Sequence, residues 1–301
     1  MLQTNYPTAV TPRHSPIFAD LGLLTCYFLL ALTAGCKHPT KEVPSDAGTK
    51  FIAVAEDRIL AVNNASKQPL YQGPVGAIEG TVTMIGDAAP DLTPFIDKIP
   101  PDCAVAATTY GRLFREGGGR AVADVLVAAT GYKGYVRPKS DHVELMARDC
   151  AWTSKTLAVT FGQRIDVKSK DTRPYIPQLL GGPPSALLVA VPGGDSVPVF
   201  PQEPGHYVLI DSMRLYSKAD VFVVRYPTVD VTGENGRYRI EGIPAGPVTV
   251  SALLPSTGST ASHQANVEPN GTAHVDFTLN FDQSSFHPKS TPSSAAPRPS
   301  K

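Results

Sequence analysis

The pattern of hydrophobic and polar positions changes twice along the chain. An apolar run of twelve residues occupies 21–32, a stretch rich in Pro, Ser, Thr and Lys follows over 37–50, and short apolar runs alternate with turn-forming residues from Val75 onward. No long repeat of 3.6 residues, as expected for an amphipathic helix, occurs after residue 75. Short runs rich in Val, Ile, Leu and Thr between Gly, Pro, Asp and Asn predict strands. The predicted fold class is therefore all-β, with strand spacing typical of a β-sandwich.

The clearest alternation lies within 229–254. Tyr238 and Ile240 alternate with charged residues, which predicts a strand with one apolar face. Gly236 precedes this strand and is expected to adopt the positive φ that a tight hairpin needs. Further hairpin turns are predicted at 242–246 and 269–271. Residues 51–71 are also apolar in part, and their pattern does not decide between a short helix and a strand.

Composition narrows the classes of partner. The 301 residues include 29 Pro and 25 Gly, and Lys plus Arg equal Asp plus Glu at 27 each. A chain without net charge has no long-range attraction for nucleic acid, so we expect no nucleic-acid partner. The high Pro and Gly content agrees with many turns in a β-rich protein.

The apolar run near the start is typical of an export signal. It is too short to span a bilayer, which takes about 20 residues, and it has the length of the hydrophobic core of a secretion signal. The residues after it, Thr33-Ala34-Gly35-Cys36, resemble the lipobox of bacterial lipoproteins. In that family the signal is removed before the cysteine, which is then acylated.

This resemblance implies lipidation of Cys36, and Lys37 after it favours the outer membrane over retention at the inner membrane. The predicted organisation begins with a signal peptide, 1–35, and a lipid-anchored tether, 36–74. The protein would be exported and held in the cell envelope, at the outer membrane or in the periplasm. An ordinary signal peptide cut nearby and a short anchor helix are the alternatives.

Two cysteines remain after the leader is removed and Cys36 is acylated. Cys103 and Cys150 are predicted to form a disulfide, because exported β domains fold in an oxidising compartment. The alternative is a metal-binding or redox pair. The sequence has no Cys-x-x-Cys motif, and no His lies at ligand spacing from either cysteine, which favours the disulfide.

The end of the chain resembles the carboxypeptidase-regulatory-like domain, a small transthyretin-like or Ig-like β-sandwich. The resemblance covers 226–281, and the residues that match the family pattern are Thr232, Gly236, Tyr238, Ile243, Pro244, Ala245, Gly246, Val275, Phe277 and Leu279. Such domains serve as rigid appendages or binding modules more often than as catalysts. The tail, 282–301, is rich in Ser, Pro and Ala and is predicted to be disordered.

The middle of the chain resembles a cupredoxin-like domain, predicted over 75–225. The matching segments are Gly80–Thr83, Val122–Val127, Asp149–Trp152 and Gly162–Val167. A type-1 copper centre needs a thiolate and imidazoles, yet the family's ligand positions fall on Asp211, Arg214 and Ser217. Met213 and His206 lie nearby and are interpreted as a packing residue and a solvated residue. The resemblance thus implies a degenerate domain without metal or cofactor.

The function predicted from these patterns is non-enzymatic, because no catalytic motif occurs and no catalytic residue can be named. We expect a cell-envelope lipoprotein that is a structural or binding module for a surface polymer or a partner protein. The partners would be the membrane, through the lipid, and an envelope protein or polysaccharide. One alternative is a metal-binding or redox accessory protein of the cupredoxin type, and a second is a carbohydrate-binding accessory module.

Overall fold

The computed structural model describes residues 53–92, 97–183 and 186–286, and β-strands dominate these residues. The predicted signal peptide, the predicted lipidation site Cys36 and the predicted tail beyond residue 286 lie outside the described residues. The segment that the sequence left undecided contains a helix, Glu56–Asn63 (α1), and a second short helix spans Ala104–Tyr110 (α2). Neither of these helices is long and apolar enough to cross a membrane.

Sixteen strands occur in the described residues. In chain order they are β1 Val75–Gly86, β2 Leu126–Thr130, β3 His142–Arg148, β4 Ala151–Trp152, β5 Thr156–Thr160, β6 Arg164–Ser169, β7 Pro177–Leu180, β8 Val197–Val199, β9 Gly205–Asp211, β10 Arg214–Val224, β11 Val229–Val231, β12 Arg237–Pro244, β13 Gly246–Leu254, β14 Ser259–Val267, β15 Thr272–His274 and β16 Phe277–Phe281. They form four sheets of four strands each. The all-β sandwich class predicted from the sequence is confirmed.

Two of the sheets form a sandwich from the two ends of the described chain, which we call the outer sandwich. One sheet has the order β12-β1-β15, with β16 also paired to β1, and the other has the order β11-β2-β13-β14. The alternation predicted for β12 is present, since Tyr238 and Ile240 are buried and the intervening arginines are exposed. The large side chains of the shared core include Ile78, Val82, Met84, Phe114, Val127, Tyr238, Ile240, Ile243, Val250, Leu254, Phe277 and Phe281.

The other two sheets form the inserted sandwich, named for its place in the chain between β2 and β11. Their strand orders are β5-β10-β9-β7 and β4-β3-β6-β8. Its core is separate from that of the outer sandwich and includes Leu145, Trp152, Leu157, Val159, Phe161, Ile165, Val167, Tyr175, Leu179, Tyr207, Leu209, Val221 and Val223. This sandwich is therefore an insertion between two strands of the outer one.

The predicted boundary at residue 225 does not coincide with the division between the two cores. Strand β1 pairs with β12 in the antiparallel register Ile78 to Ile240, and β2 pairs with β13 in the register Ala129 to Val250. The first two strands thus belong with 229–281 and not with the residues that follow them. The reason is physical, because strand pairing across more than a hundred residues leaves no local pattern in the chain.

The predicted turn conformation at Gly236 is confirmed, but the predicted hairpin is wrong. Gly236 has φ +70°, and a Cβ there would lie 2.6 Å from the Val82 carbonyl oxygen. The strands on either side pair with different partners, since β11 pairs with β2 and β12 pairs with β1. The turn therefore crosses from one sheet to the other. The turns at 242–246 and 269–271 also connect strands of different sheets.

Candidate functional site

The positions that the cupredoxin resemblance would assign to copper ligands contain an ion pair. Asp211 ends β9 and is fully buried, and an Arg214 guanidinium nitrogen lies 2.7 Å from its carboxylate. The same carboxylate accepts a hydrogen bond from the Ile176 amide at 3.0 Å. A guanidinium has no lone pair to donate to a metal and carries positive charge. These residues do not fit a copper ion.

The other residues considered near this position make separate contacts. The buried Ser217 hydroxyl donates to the Cys150 carbonyl oxygen at 2.7 Å, and Met213 is exposed. The His206 ring pairs with Asp220 at 2.7 Å and stacks on Phe222 with the ring centroids 4.6 Å apart. Within the described residues, no group of three or more His, Cys, Asp or Glu is arranged to hold a metal ion.

The predicted disulfide is present in the structure. Cys103 and Cys150 are bonded, with their Cα atoms 5.5 Å apart, and both are buried in a small cluster with Ile99, Ala106 and Tyr110. One cysteine belongs to the connection between β1 and β2, and the other to the turn between β3 and β4. The disulfide therefore links the outer sandwich to the inserted sandwich.

Two hydrogen bonds and a cation–π contact connect this disulfide to the ion pair. The Asp171 carboxylate accepts from the Cys150 amide at 2.8 Å and from the Tyr175 hydroxyl at 2.5 Å. The Arg214 guanidinium lies over the Tyr175 ring, 4.7 Å from its centroid, which is a cation–π contact. Burial works to raise the pKa of Asp171, but these hydrogen bonds and Arg173 outweigh it and lower the pKa to about 2.

A second buried polar cluster also joins the two sandwiches. Asp124, just before β2, is 4% exposed and accepts two hydrogen bonds from the Arg115 guanidinium, at 2.6 and 2.7 Å. It accepts two more from the inserted sandwich, from the Ser154 hydroxyl at 3.1 Å and the Lys155 amide at 2.7 Å. Three of these donors bind Oδ1 and one binds Oδ2, and because they come from both sandwiches the carboxylate has the geometry of a structural junction.

The Lys155 ammonium completes this cluster. It donates to the carbonyl oxygens of Arg112 and Leu113, both at 3.2 Å, and burial lowers its pKa. A lysine with a lowered pKa beside a cleft is a common feature of catalytic sites, and a cleft of about 550 Å³ lies next to Arg115. Lys155 does not line that cleft, and both carbonyls hold its ammonium against the outer sandwich.

This cluster was not predicted from the sequence. Its one local signal is an aspartate, Asp124, inside an otherwise apolar run, Val122–Val127. A charged residue is almost never fully buried without a partner, so an aspartate in this run indicates a nearby cation. Nothing local indicated that Arg115 and Lys155 would be its neighbours.

Comparisons with known proteins do not place the chain in a family. No protein-family model matches it, and no curated protein matches it. Among solved structures, the copper-containing nitrite reductase NirK from Thermus scotoductus SA-01 is similar over 31% of this chain and 24% of that chain, with 18% sequence identity and a TM-score of 0.24. The match spans about a quarter of that enzyme's length and carries no argument about the present protein.

Proposed function

We propose that this protein is an exported, non-enzymatic component of the cell envelope, anchored by a lipid on Cys36. Its outer sandwich would be a carboxypeptidase-regulatory-like domain, and its inserted sandwich a degenerate cupredoxin-like domain. Together they would act as a structural or binding module for a surface polymer or a partner protein.

The observation that carries this proposal is that the buried charged residues pair with one another. Arg214 pairs with Asp211 where the cupredoxin resemblance would require copper ligands, and Asp124 is bound by Arg115 and the inserted sandwich. Buried charges that satisfy one another rigidify a fold, and Asp124, at 4% exposure, is sheltered from a substrate. Both clusters therefore favour a rigid module over a catalyst.

Two further observations support export and the sandwich type. A disulfide such as Cys103–Cys150 persists in oxidising compartments and is rare in the cytosol. The family-pattern residue Thr232 is buried, accepts from the Val125 amide at 3.0 Å and donates to the Val122 carbonyl at 2.7 Å. This threonine thus fixes the turn after β11 to the residues just before β2. That contact is a structural reason why the family pattern has a threonine at this position.

Replacement of the predicted lipidation site tests the anchoring. The full chain and its Cys36→Ala variant would be expressed in the source cell and separated into membrane and soluble fractions. We expect the wild-type protein in membranes and the variant in the soluble fraction. Cys26→Ala is the matched control, because Cys26 lies in the predicted signal peptide, and it should leave the protein in membranes. Membrane retention of Cys36→Ala would contradict the lipid anchor.

Metal analysis tests the alternative of a copper or redox accessory protein. The purified full chain would be incubated with Cu(II), or with Cu(I) under reducing conditions, and dialysed. We expect no stoichiometric copper after dialysis, because Arg214 places a positive charge where the cupredoxin resemblance would require a copper ligand. If the wild-type protein retained one equivalent of copper and Asp211→Asn did not, the proposal that this protein holds no metal would be wrong.

A further inference from the structure

Two cavities lie along helix α1. One, of about 290 Å³, is beside the C-terminal end of the helix and is lined by Asn63, Tyr132 and Arg225 among others. The other, of about 310 Å³, is beside the N-terminal half and includes Arg137 in its lining. Tyr135 lines both cavities, and α1 forms a wall of both. We call the two together the α1 groove.

The walls of this groove are held in place by contacts with the inserted sandwich. Ile59 of α1 packs on Gly162, where a Cβ would come within 2.7 Å of it, and the Asn63 side-chain amide donates to the Phe161 carbonyl oxygen at 2.8 Å. The opposite wall is the connection 131–141 between the two sandwiches. A groove with fixed walls loses little conformational entropy when a ligand binds.

Several polar groups in the groove lack partners among the described residues. Asn63 Oδ1 is buried and accepts no hydrogen bond. The guanidiniums of Arg137 and Arg225 are exposed and form no ion pair there, unlike those of Arg164 and Arg214. Because the Asn63 oxygen is inaccessible to water, a ligand in the groove would meet the two guanidiniums and not this oxygen.

The groove also contains tyrosines suited to a ligand with both apolar and polar faces. Tyr132, Tyr135 and Tyr226 are each half-buried and line the cavity beside the C-terminal end of α1. A tyrosine offers an apolar ring and a polar tip, and so matches a surface that is partly apolar and partly hydroxylated. Sugar rings have such surfaces, with C–H groups on their faces and hydroxyls around their edges.

The charges of the groove leave a positive excess that favours an acidic ligand. Each cavity has one arginine without an ion pair among the described residues, Arg225 in one and Arg137 in the other, and the cavity with Arg137 also has one such carboxylate, Glu56. Asp141 in the lining is already paired with Arg164, and Lys139 with Glu241. Unpaired guanidiniums bind carboxylates through two parallel hydrogen bonds.

We infer that the α1 groove binds an extended acidic polysaccharide, with sugar rings against the tyrosines and carboxylates on Arg137 and Arg225. This inference rests on the proposed function, since it names the surface polymer that the module would hold. An acidic peptide is less favoured. Peptides commonly bind by adding a strand to exposed backbone groups, and the backbone of Tyr135 is already paired with Pro69 and Tyr71.

Calorimetric titration of the purified full chain in detergent tests the inference. The probes are hexamers of galacturonate and mannuronate, the neutral hexamer maltohexaose, and hexaglutamate. We expect binding of a uronate hexamer, at least tenfold weaker binding by Arg225→Gln, Arg137→Gln and Tyr135→Ala, and weaker binding as salt is raised. Tyr135→Phe, which keeps the ring, should lose less than Tyr135→Ala.

The matched control is Arg237→Gln, which removes another exposed arginine that has no ion pair among the described residues, this one in the outer sandwich. It should leave uronate binding unchanged, and all variants should keep the wild-type melting temperature. Four outcomes would overturn the inference: no binding of either uronate hexamer, equal binding of maltohexaose, tighter binding of hexaglutamate, or an equal loss in Arg237→Gln. The membrane fractionation of Cys36→Ala does not depend on the groove. If no uronate binds, the proposal of a lipid anchor is therefore still tested separately by that fractionation.

Discussion

The outer and inserted sandwiches are assembled from the chain in opposite ways. The inserted sandwich is contiguous, with pairs such as His142 to Arg164 between strands close in sequence. The outer sandwich joins β1 to strands more than 150 residues away, as in the pair Ile78 to Ile240. Closing a long loop before a contact forms is entropically unfavourable. Folding of the outer sandwich therefore benefits when the insertion folds first and shortens that loop.

The junction between the sandwiches shows how this long-range assembly is stabilised. A disulfide, Cys103–Cys150, crosses it, and the carboxylate of Asp124 binds donors from both sides. Variants at the junction are therefore expected to lose more stability than variants within one sandwich.

Removal of the disulfide should have the largest effect on stability. The bond closes a loop between residues separated by 47 positions, for which the chain-entropy model gives about 4 kcal/mol. The Cys103→Ala/Cys150→Ala double variant should lose about that much free energy of unfolding in urea titrations followed by circular dichroism. Reduction of the wild-type protein should give a similar loss. A loss below about 1 kcal/mol would mean that the two sandwiches hold together without the link.

Neutralising Asp124 should have the next largest effect. Asp124→Asn keeps a side chain that tolerates the positive φ of +66° at this position, but it leaves the buried Arg115 guanidinium with only the exposed Glu234, at 3.3 Å, as a counter-charge. We expect a loss of about 3 kcal/mol in the free energy of unfolding.

Asp91→Asn is the control for this variant, because the Asp91–Arg112 ion pair is exposed and such pairs contribute about 0–1 kcal/mol. Chemical denaturation of both variants under one condition measures the contrast. Equal losses would show that the Asp124 cluster has no special role at the junction.

Acid should weaken the inserted sandwich through Asp171. Its pKa is about 2 in the folded protein against an ordinary value of 3.8, so the unfolded chain takes up this proton first as the pH falls. The stabilisation is present above about pH 4 and is lost as the pH falls through 2. At about 1.4 kcal/mol per pKa unit this amounts to about 2 kcal/mol.

Asp171→Asn should remove this part of the pH dependence. The comparison is the free energy of unfolding of wild type and variant at pH 4.5 and near pH 2, by urea titration. The wild-type protein should lose more stability between these two values than the variant. The same loss in both would refute the assignment to Asp171.

A pair of glycines tests the sheet-crossing turn of the outer sandwich. Gly236 and Gly258 have φ values of +70° and +75°, so alanine causes similar backbone strain at both. Only at Gly236 would the new Cβ also meet the Val82 carbonyl oxygen, at 2.6 Å, whereas nothing lies within 4 Å at Gly258. Gly236→Ala should therefore be less stable than Gly258→Ala by about 1–2 kcal/mol. Equal melting temperatures would show that the turn can move aside.

Local features of the sequence were sufficient for some of these elements. The alternation around Tyr238 and Ile240 predicted the buried face of β12, and the positive φ of Gly236 followed from its place in a turn. The pairing of Cys103 with Cys150 was predicted by counting the cysteines left after the predicted leader and lipidation site are set aside. Helix α2 was not predicted, because its seven residues are too few for a helical repeat to be recognised.

The sequence by itself determined the all-β class, the buried face of β12 and the disulfide, because each depends on side-chain period, backbone preference or residue count. Only the tertiary structure decided which strands share a sheet, that 142–224 forms an insertion, and that Asp124 meets Arg115 and Lys155 at the junction. These depend on contacts between residues far apart in the chain, where the energy of burying apolar area and pairing charges is gained only after the chain has closed on itself.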